Sequence, residues 1–514
     1  MFKRTVRKAK ERAYVGKPLG VIQPRVAAVG PERFGIVAVD CGKGASVWML
    51  ADFYGRRLLP PQELLHSPGS LACAISQLRE LLVRHNLADQ IVAIERTGRY
   101  HLPVQQAFRA AGFETRIVHP LASRQYRELS DPANKTDATD LDGILRAATN
   151  GFGLIERPLE GSYLALCMLA RHRRDLVEKR AAVLCQIREY LELTLPGYAT
   201  CFDDLWDHRY ALYLARQCDT PADFTARGLN GLKEMLRKEG RLFQERTLNR
   251  VLQWARTALP VGVEASLYRQ VWHDLDDDRL EKNRQILRLE QQLAEHLALT
   301  PYVLLLSLPG INVVSAAELA GELGPIKHYA SARAITGRAG LFPRRYQSHH
   351  VDRCGGLSPA GLRPLRFILL VIADNLIQCN PYYRGRALRC KDRQLDARLI
   401  RVKTAGAFSR VLFQMVAGGK VFTHPACQQR DYVLQKLLAF HHVHGTPLDQ
   451  ALRNLETART QIPAQEYAAE AAPLSVELAK SRKLRRRGVK TLQDLLPVLL
   501  ARLGVGSLQS ESSE

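Results

Sequence analysis

The chain has 514 residues, 46% of them hydrophobic and 24% charged, which excludes wholesale disorder and allows roughly three domains at about 150 residues each. Lys and Arg number 74 against 51 Asp and Glu, and the resulting +23 points to a polyanionic partner, because each neutralised phosphate releases condensed counterions. No apolar run reaches the roughly 18–20 residues of a membrane span, no apolar stretch follows the basic N-terminus, and ten cysteines lie scattered without a C-x-x-C pair, so the expectation is a soluble intracellular protein with reduced thiols and no membrane partner.

Residues 1–33 read as a basic flexible arm. From Phe34 the pattern becomes three short strands joined by tight turns: residues 36–39 leading into Asp40, then 47–53, then 56–59, with Gly42, Gly44 and Gly55 at the turns. Residues 71–83 carry Leu71, Ile75, Leu78 and Leu82 at helical spacing, and 91–94 form a buried-strand run ending at Glu95. A helix over 104–111, a strand over 115–118 and a helix over 138–148 follow. This order predicts an α/β domain with a mixed sheet over 34–155. Residues 156–300 are helical, with one stripe at Leu169, Leu176, Val183, Ile187 and Leu191 and another at Leu280, Ile286, Leu289, Leu293 and Leu297. The two stripes would pair as a hairpin within one chain or as an intermolecular coiled coil. Residues 301–440 read as a further, mostly helical unit, and 441–514 as a tail with a basic run over 480–490.

Four carboxylates stand out by position. Asp40 and Glu95 end two strands, where open α/β sheets collect ligands. Asp137 and Asp140, spaced i, i+3 at a helix start, face one way and would complete a cluster over those strand ends. Crowded carboxylates repel unless a cation offsets them, and hard oxygen ligands suit Mg²⁺ or Mn²⁺. Taken singly, each could serve as a cap or surface charge.

The segments VAVDCGKGASVWMLADFYG, IVAIERTGRYHLPVQQAFRAAGF, VHPLASRQYR and NKTDATDLDGILRAA resemble the Asp-Glu-Asp-Asp transposases of the insertion-sequence 110 family. The resemblance implies a first domain with the RNase H-like fold of RuvC-type junction resolvases, binding metal through Asp40, Glu95, Asp137 and Asp140, with Lys135 beside them on nucleic acid. Leu141 stands where the family usually has a small residue. Downstream, SLPGINVVSAAELAGEL is similar to a helix-hairpin-helix whose Pro309-Gly310 turn would aim N–H groups at a phosphate, and AGLFPRRYQS with SPAGLRPLRFILLVIADN resemble the family's C-terminal transposase domain.

Ser348 falls where that family places a nucleophilic serine, and a serine hydroxyl can hold a broken strand covalently. His349 replaces the usual Gly; it either alters the local geometry or lends an imidazole to the nucleophile. Arg344, Arg345, Arg363 and Arg366 flank the serine as candidate phosphate clamps, with a solvated basic face as the alternative. The resemblance further implies strand exchange on double-stranded DNA through a 5′-phosphoserine, excision of a circular element, guidance by a structured bridge RNA, assembly as a dimer or tetramer, and a prokaryotic, cytoplasmic, nucleoid-associated protein. Two other classes stay open: a metal-dependent nuclease or junction resolvase in which water attacks, and a non-catalytic nucleic-acid scaffold. His424, Cys427, His441, His442 and His444 offer zinc-ligand types without paired spacing.

Overall fold

The computed structural model describes residues 21–466 except 131, 157, 209, 260, 261, 263, 350, 360 and 428–430. The first twenty residues of the expected arm and the basic run over 480–490 lie outside the described residues. The chain divides into two units, residues 1–158 and 159–514.

In the first unit, β1 (Phe34–Cys41), β2 (Ala45–Asp52) and β3 (Arg57–Leu65) form the expected antiparallel meander. Then come α2 (Pro68–Arg84), β4 (Asp89–Glu95), α3 (His101–Ala110), β5 (Thr115–Val118), α4 (Pro120–Ser130), α5 (Asp137–Thr149) and β6 (Gly153–Leu154). The sheet order is β3-β2-β1-β4-β5-β6, with β4 parallel to β1 and to β5 and β6 antiparallel at the edge. Side chains alternate across each strand. Val37, Val39, Val92 and Ile94 face α2 and α3, whereas Ile36, Ala38, Ile91 and Ala93 face α5. Asp40 and Glu95 continue the second series, so the alternation places both carboxylates on the α5 side.

α1 (Gln23–Val29) corrects the expected flexible arm. Ile22 and Val26 are buried against the α5 side of the sheet, and the Arg25 guanidinium binds Asp89 at 2.5 and 2.8 Å and Glu114 at 3.0 and 3.1 Å.

α4 and α5 cross with almost no space between them. A Cβ on Gly143 would stand 2.6 Å from the Ser123 carbonyl oxygen and 3.2 Å from the Arg127 Cβ. Gly to Ala inside a helix normally adds up to about 1 kcal/mol of stability. Here the obstacle is backbone, and overpacking of this kind costs about 1–3 kcal/mol. Gly143→Ala is therefore expected to lower the urea midpoint, and an unchanged or raised midpoint would show that the two helices can separate freely.

In the second unit, α6 (Gly161–Thr194) and α10 (Ala265–Ala298) pair antiparallel within the chain, the hairpin arrangement of the two stripes. Leu176 meets Ile286 and Leu289, Arg173 pairs with Glu290, and Arg180 bonds Asn283 at 2.9 Å. Between them lie α7 (Ala211–Gln217), α8 (Pro221–Lys238) and α9 (Glu245–Thr257), which share a second core with Val183, Ile187 and Leu191 of α6 and Trp272 of α10. After a 3-10 turn (Pro301–Ser307) come α11 (Val313–Leu323), α12 (Ala332–Arg338), the hairpin β7 (Pro343–Ser348) and β8 (Val351–Leu357), α13 (Arg363–Cys379), α14 (Pro381–Asp392), α15 (Ala397–Gly418), α16 (Val433–Val443) and α17 (Leu448–Gln461).

One core joins Leu166 and Ala170 of α6, Leu293 and Leu297 of α10, most of α11, and Leu452 and Leu455 of α17. Packing thus runs across residue 300, and residues 448–461 are a docked helix rather than tail. Glu318 and Glu322 of α11, both nearly buried, are matched by Arg174 and Arg171 of α6; Arg171 grips Glu322 with two bonds of 2.7 and 2.8 Å. Breaking one such pair would strand a buried charge. The expected helix-hairpin-helix is corrected: its first arm is the 3-10 turn. Its Leu308 and Ile311 carbonyls accept from the Lys436 ammonium at 3.2 and 2.8 Å, so the loop is held from inside.

Candidate active site

β1 and β4 are parallel with Val39 beside Ile94, so Asp40 and Glu95 are the next step of the same register. α5 packs Leu141, Ile144, Leu145 and Ala148 onto this face of the sheet. Leu141, the departure from the small residue of the resembled family, is fully buried there and leaves Asp140 in place. Thr136 caps the helix: its hydroxyl accepts from the Thr139 amide at 3.2 Å, and the Thr139 hydroxyl accepts from the Thr136 amide at 2.9 Å. That cap fixes Asp137 and Asp140 in the first turn.

Asp40 and Glu95 feel the burial and the other carboxylates around them. Burial pushes the Asp40 carboxyl up, with Asp140 and then Asp137 adding to the rise and Lys135 opposing it. Burial also raises Glu95; the Ser123 hydroxyl bond opposes that rise, while Asp40 and Asp140 reinforce it. Two half-buried carboxylates disfavoured by their like-charged neighbours are the signature of a site that gains from a cation.

Two groups that periodicity did not reveal hold the cluster in shape. Ser123 of α4 donates to Glu95 at 2.6 Å, and Arg127, one turn along, binds Asp140 at 2.7 Å. Lys135, three-quarters exposed, lies 4.0 Å from Asp140. The donor set fits a hard divalent cation by charge and by oxygen type. Among the described residues, no group of three or more His, Cys, Asp or Glu converges closely enough to encircle an ion.

Ser348 lies in the second unit, as the last residue of β7, paired with Val351 across the hairpin. All six residues of β7 are exposed. His349 follows with φ +44°, in the left-handed region that favours glycine. The arginines divide. Arg345 forms a fork with Asp352 at 2.8 and 2.5 Å, and Arg366 donates to the Ala339 and Ser358 carbonyls at 2.8 and 2.7 Å, tying α13 to the base of the hairpin. Those bonds give Arg366 a structural task in place of the expected phosphate clamp. Arg344 and Arg363 are exposed.

The zinc alternative fails on geometry among the described residues. His424 packs against the Tyr382 ring, His444 bonds Glu290 at 2.7 Å, and His441 is fully buried with its Nδ1 3.1 Å from the Thr446 hydroxyl. Burial, with a small push from His444, drives the His441 imidazole down to about 4. The unfolded chain binds this proton near pH 6.5, whereas the folded chain does so only near 4. Stability is therefore complete above pH 6.5 and is lost as pH falls toward 4, by about 3 kcal/mol at roughly 1.4 kcal/mol per unit. His441→Gln should show a smaller fall in urea midpoint between pH 7 and pH 4.5 than wild type; parallel falls would place the acid sensitivity elsewhere.

Among known proteins, residues 37–196 match a family model described as a transposase, of the DEDD type of IS110, and residues 302–387 match the transposase IS116/IS110/IS902 family. The transposase for insertion sequence element IS1328 of Yersinia enterocolitica is 31% identical over 143 residues, covering 27% of this chain and 43% of that protein. A probable family 20 transposase of Pseudomonas aeruginosa is 23% identical over 348 residues, 66% of this chain and 89% of the relative. An uncharacterized 43.6 kDa protein of insertion element IS110 from Streptomyces coelicolor is 25% identical over 329 residues, 62% of this chain and 80% of the relative.

Proposed function

The chain belongs to the IS110 family of transposases, and from that premise we propose that it is a DNA recombinase that cleaves and exchanges strands with a divalent metal and a serine nucleophile. The observation that carries the reading is the placement of Asp40 and Glu95 at neighbouring strand ends on the face of the sheet covered by α5, whose first turn holds Asp137 and Asp140. The strand order 3-2-1-4-5, with only the first three strands in an antiparallel meander, supports an RNase H-like, RuvC-like catalytic domain. The four carboxylates would hold Mg²⁺ (or Mn²⁺), which when bound supplies Lewis acidity to a phosphodiester.

The chain's own groups do the rest. Ser123 and Arg127 orient two of the carboxylates, and Lys135 offers a mobile cation to the phosphate. The Ser348 Oγ forms the new bond to phosphorus as the 3′ oxygen of the cut strand departs with its electron pair, leaving a 5′-phosphoserine and a free 3′-hydroxyl. The reverse step on a second strand rejoins DNA, with the phosphoester bond conserved. Arg344 and Arg363 would contact the backbone near the serine. A bridge RNA would supply sequence choice, and a dimer or tetramer, assembled through the helical middle, would bring serine and carboxylates into one composite site.

A second reading draws on the exposed β7 strand, in which no described residue gives Ser348 a hydrogen-bonded base: a metal-dependent nuclease or junction resolvase in which water attacks. Denaturant-resistant protein–DNA adducts on nicked substrates distinguish the two, since only the serine route leaves protein on DNA. Either reading predicts that duplex binding weakens steeply as salt rises, because +23 implies many released counterions. A flat log–log plot of affinity against salt would mean that the basic charge serves solubility alone.

A further inference from the structure

Residues 198–257 lie between the paired helices α6 and α10, outside both family matches, and fold around Tyr198, Phe224 and Leu248 against Trp272 of α10. Against this globule open two adjoining cavities of about 380 and 560 Å³ that share His208 and Arg241. Such volumes are those of small-ligand sites. The first is walled by Trp206, Tyr213, Arg216 and Arg279, the second by Tyr210, Leu242 and Phe243.

The lining has two chemical features. The Arg241 guanidinium lies over the Tyr213 ring, 4.4 Å from its centre, so a flat cationic plane stands at the junction of the cavities. Arg279 binds the buried Asp276 at 2.7 Å, and Arg216 grips Asp277 with two bonds of 2.6 and 3.0 Å besides meeting Asp276 at 3.2 Å, which fixes their forks; with Arg241 the arginines lining the first cavity still outnumber these carboxylates.

We propose that these cavities hold one unpaired nucleotide of a nucleic-acid strand, its base stacked beside Phe243 and the Arg241–Tyr213 plane, and its phosphate toward Arg216 and Arg279. Stacking on aromatic and guanidinium planes is how proteins take up splayed bases, and guanidinium forks suit phosphate. The proposal takes only one thing from the transposase reading, that the partner is nucleic acid.

The test uses the full chain and a short single-stranded DNA carrying one 2-aminopurine, whose fluorescence falls on stacking. Wild type should quench it and bind it more tightly than adenosine monophosphate. Phe243→Ala and Leu242→Glu should each weaken single-strand binding about ten-fold, in keeping with the loss of one stacked base, and leave duplex binding unchanged. Leu242 is 94% exposed, so its substitution does not threaten the fold and carries the test if Phe243→Ala unfolds. Absence of quenching by wild type, or unchanged affinity in a folded Leu242→Glu, overturns the proposal. Equal affinity for adenosine monophosphate also overturns it, by assigning the cavities to a free nucleotide. Duplex binding separates the two levels: wild type that binds duplex without quenching the single strand refutes the cavity site alone, whereas wild type that binds neither refutes the transposase reading as well.

Discussion

Asp40→Asn and Glu95→Gln are expected to abolish strand cleavage while making the metal-free protein more stable. Their raised carboxyl groups show that folding places charge where burial and neighbouring carboxylates oppose it. For such a group the folded state is penalised once pH exceeds the ordinary carboxylate range, so at neutral pH an isosteric neutral side chain removes a cost. Cleavage should fall on the order of 10³-fold, since a lost metal ligand forfeits several kcal/mol of transition-state stabilisation. Asp140→Asn should abolish cleavage too, but with a lower melting temperature, because Arg127 would lose its carboxylate partner in a half-buried setting. Cleavage gels in Mg²⁺ paired with thermal melts in chelator decide the matter. Retained cleavage in these variants, or a lower melting temperature for Asp40→Asn, would dissolve the case for a cation site.

The difference between Asp40 and Asp140 also marks what could be read in the sequence. Strand alternation and helical stripes suffice for β1 to β5, α2, α3, α5 and both long helices, because each buries a continuous apolar face. Those elements alone bring the four carboxylates to one end of the sheet. α4 escaped because it is short and polar, with Leu121 and Leu129 exposed and few buried positions to set a period. Ser123 and Arg127 escaped with it, although their segment was already recognisable by resemblance. α1 escaped for the same reason: Val26 is its only deeply buried side chain, with Ile22 just before it. The ion pairs of Glu318 and Glu322 join residues roughly 150 positions apart, and no local pattern encodes such a partner. The Gly143 crossing is legible only once a second helix is known to lie against it.

Ser348→Ala is expected to eliminate the covalent protein–DNA adduct entirely, with duplex binding unchanged, because the side chain is exposed at a hairpin end and supports no packing. Its neighbour makes the sharper test. His349 sits at φ +44° directly after Ser348 at the end of β7, in the left-handed region that favours glycine. A side chain there costs about 1–2 kcal/mol relative to glycine. That strain favours the geometric reading of His349 over the one in which its imidazole takes the serine proton. His349→Gly should thus settle the turn into the same conformation at lower cost, and adduct yield should rise or hold, with the same dependence on pH. Were the imidazole the base, wild-type activity would fall as pH drops through about 6.5 and His349→Gly would flatten that acid limb and lower the yield. Adduct formed at normal yield by Ser348→Ala would remove the serine from the chemistry altogether and hand the attack to water.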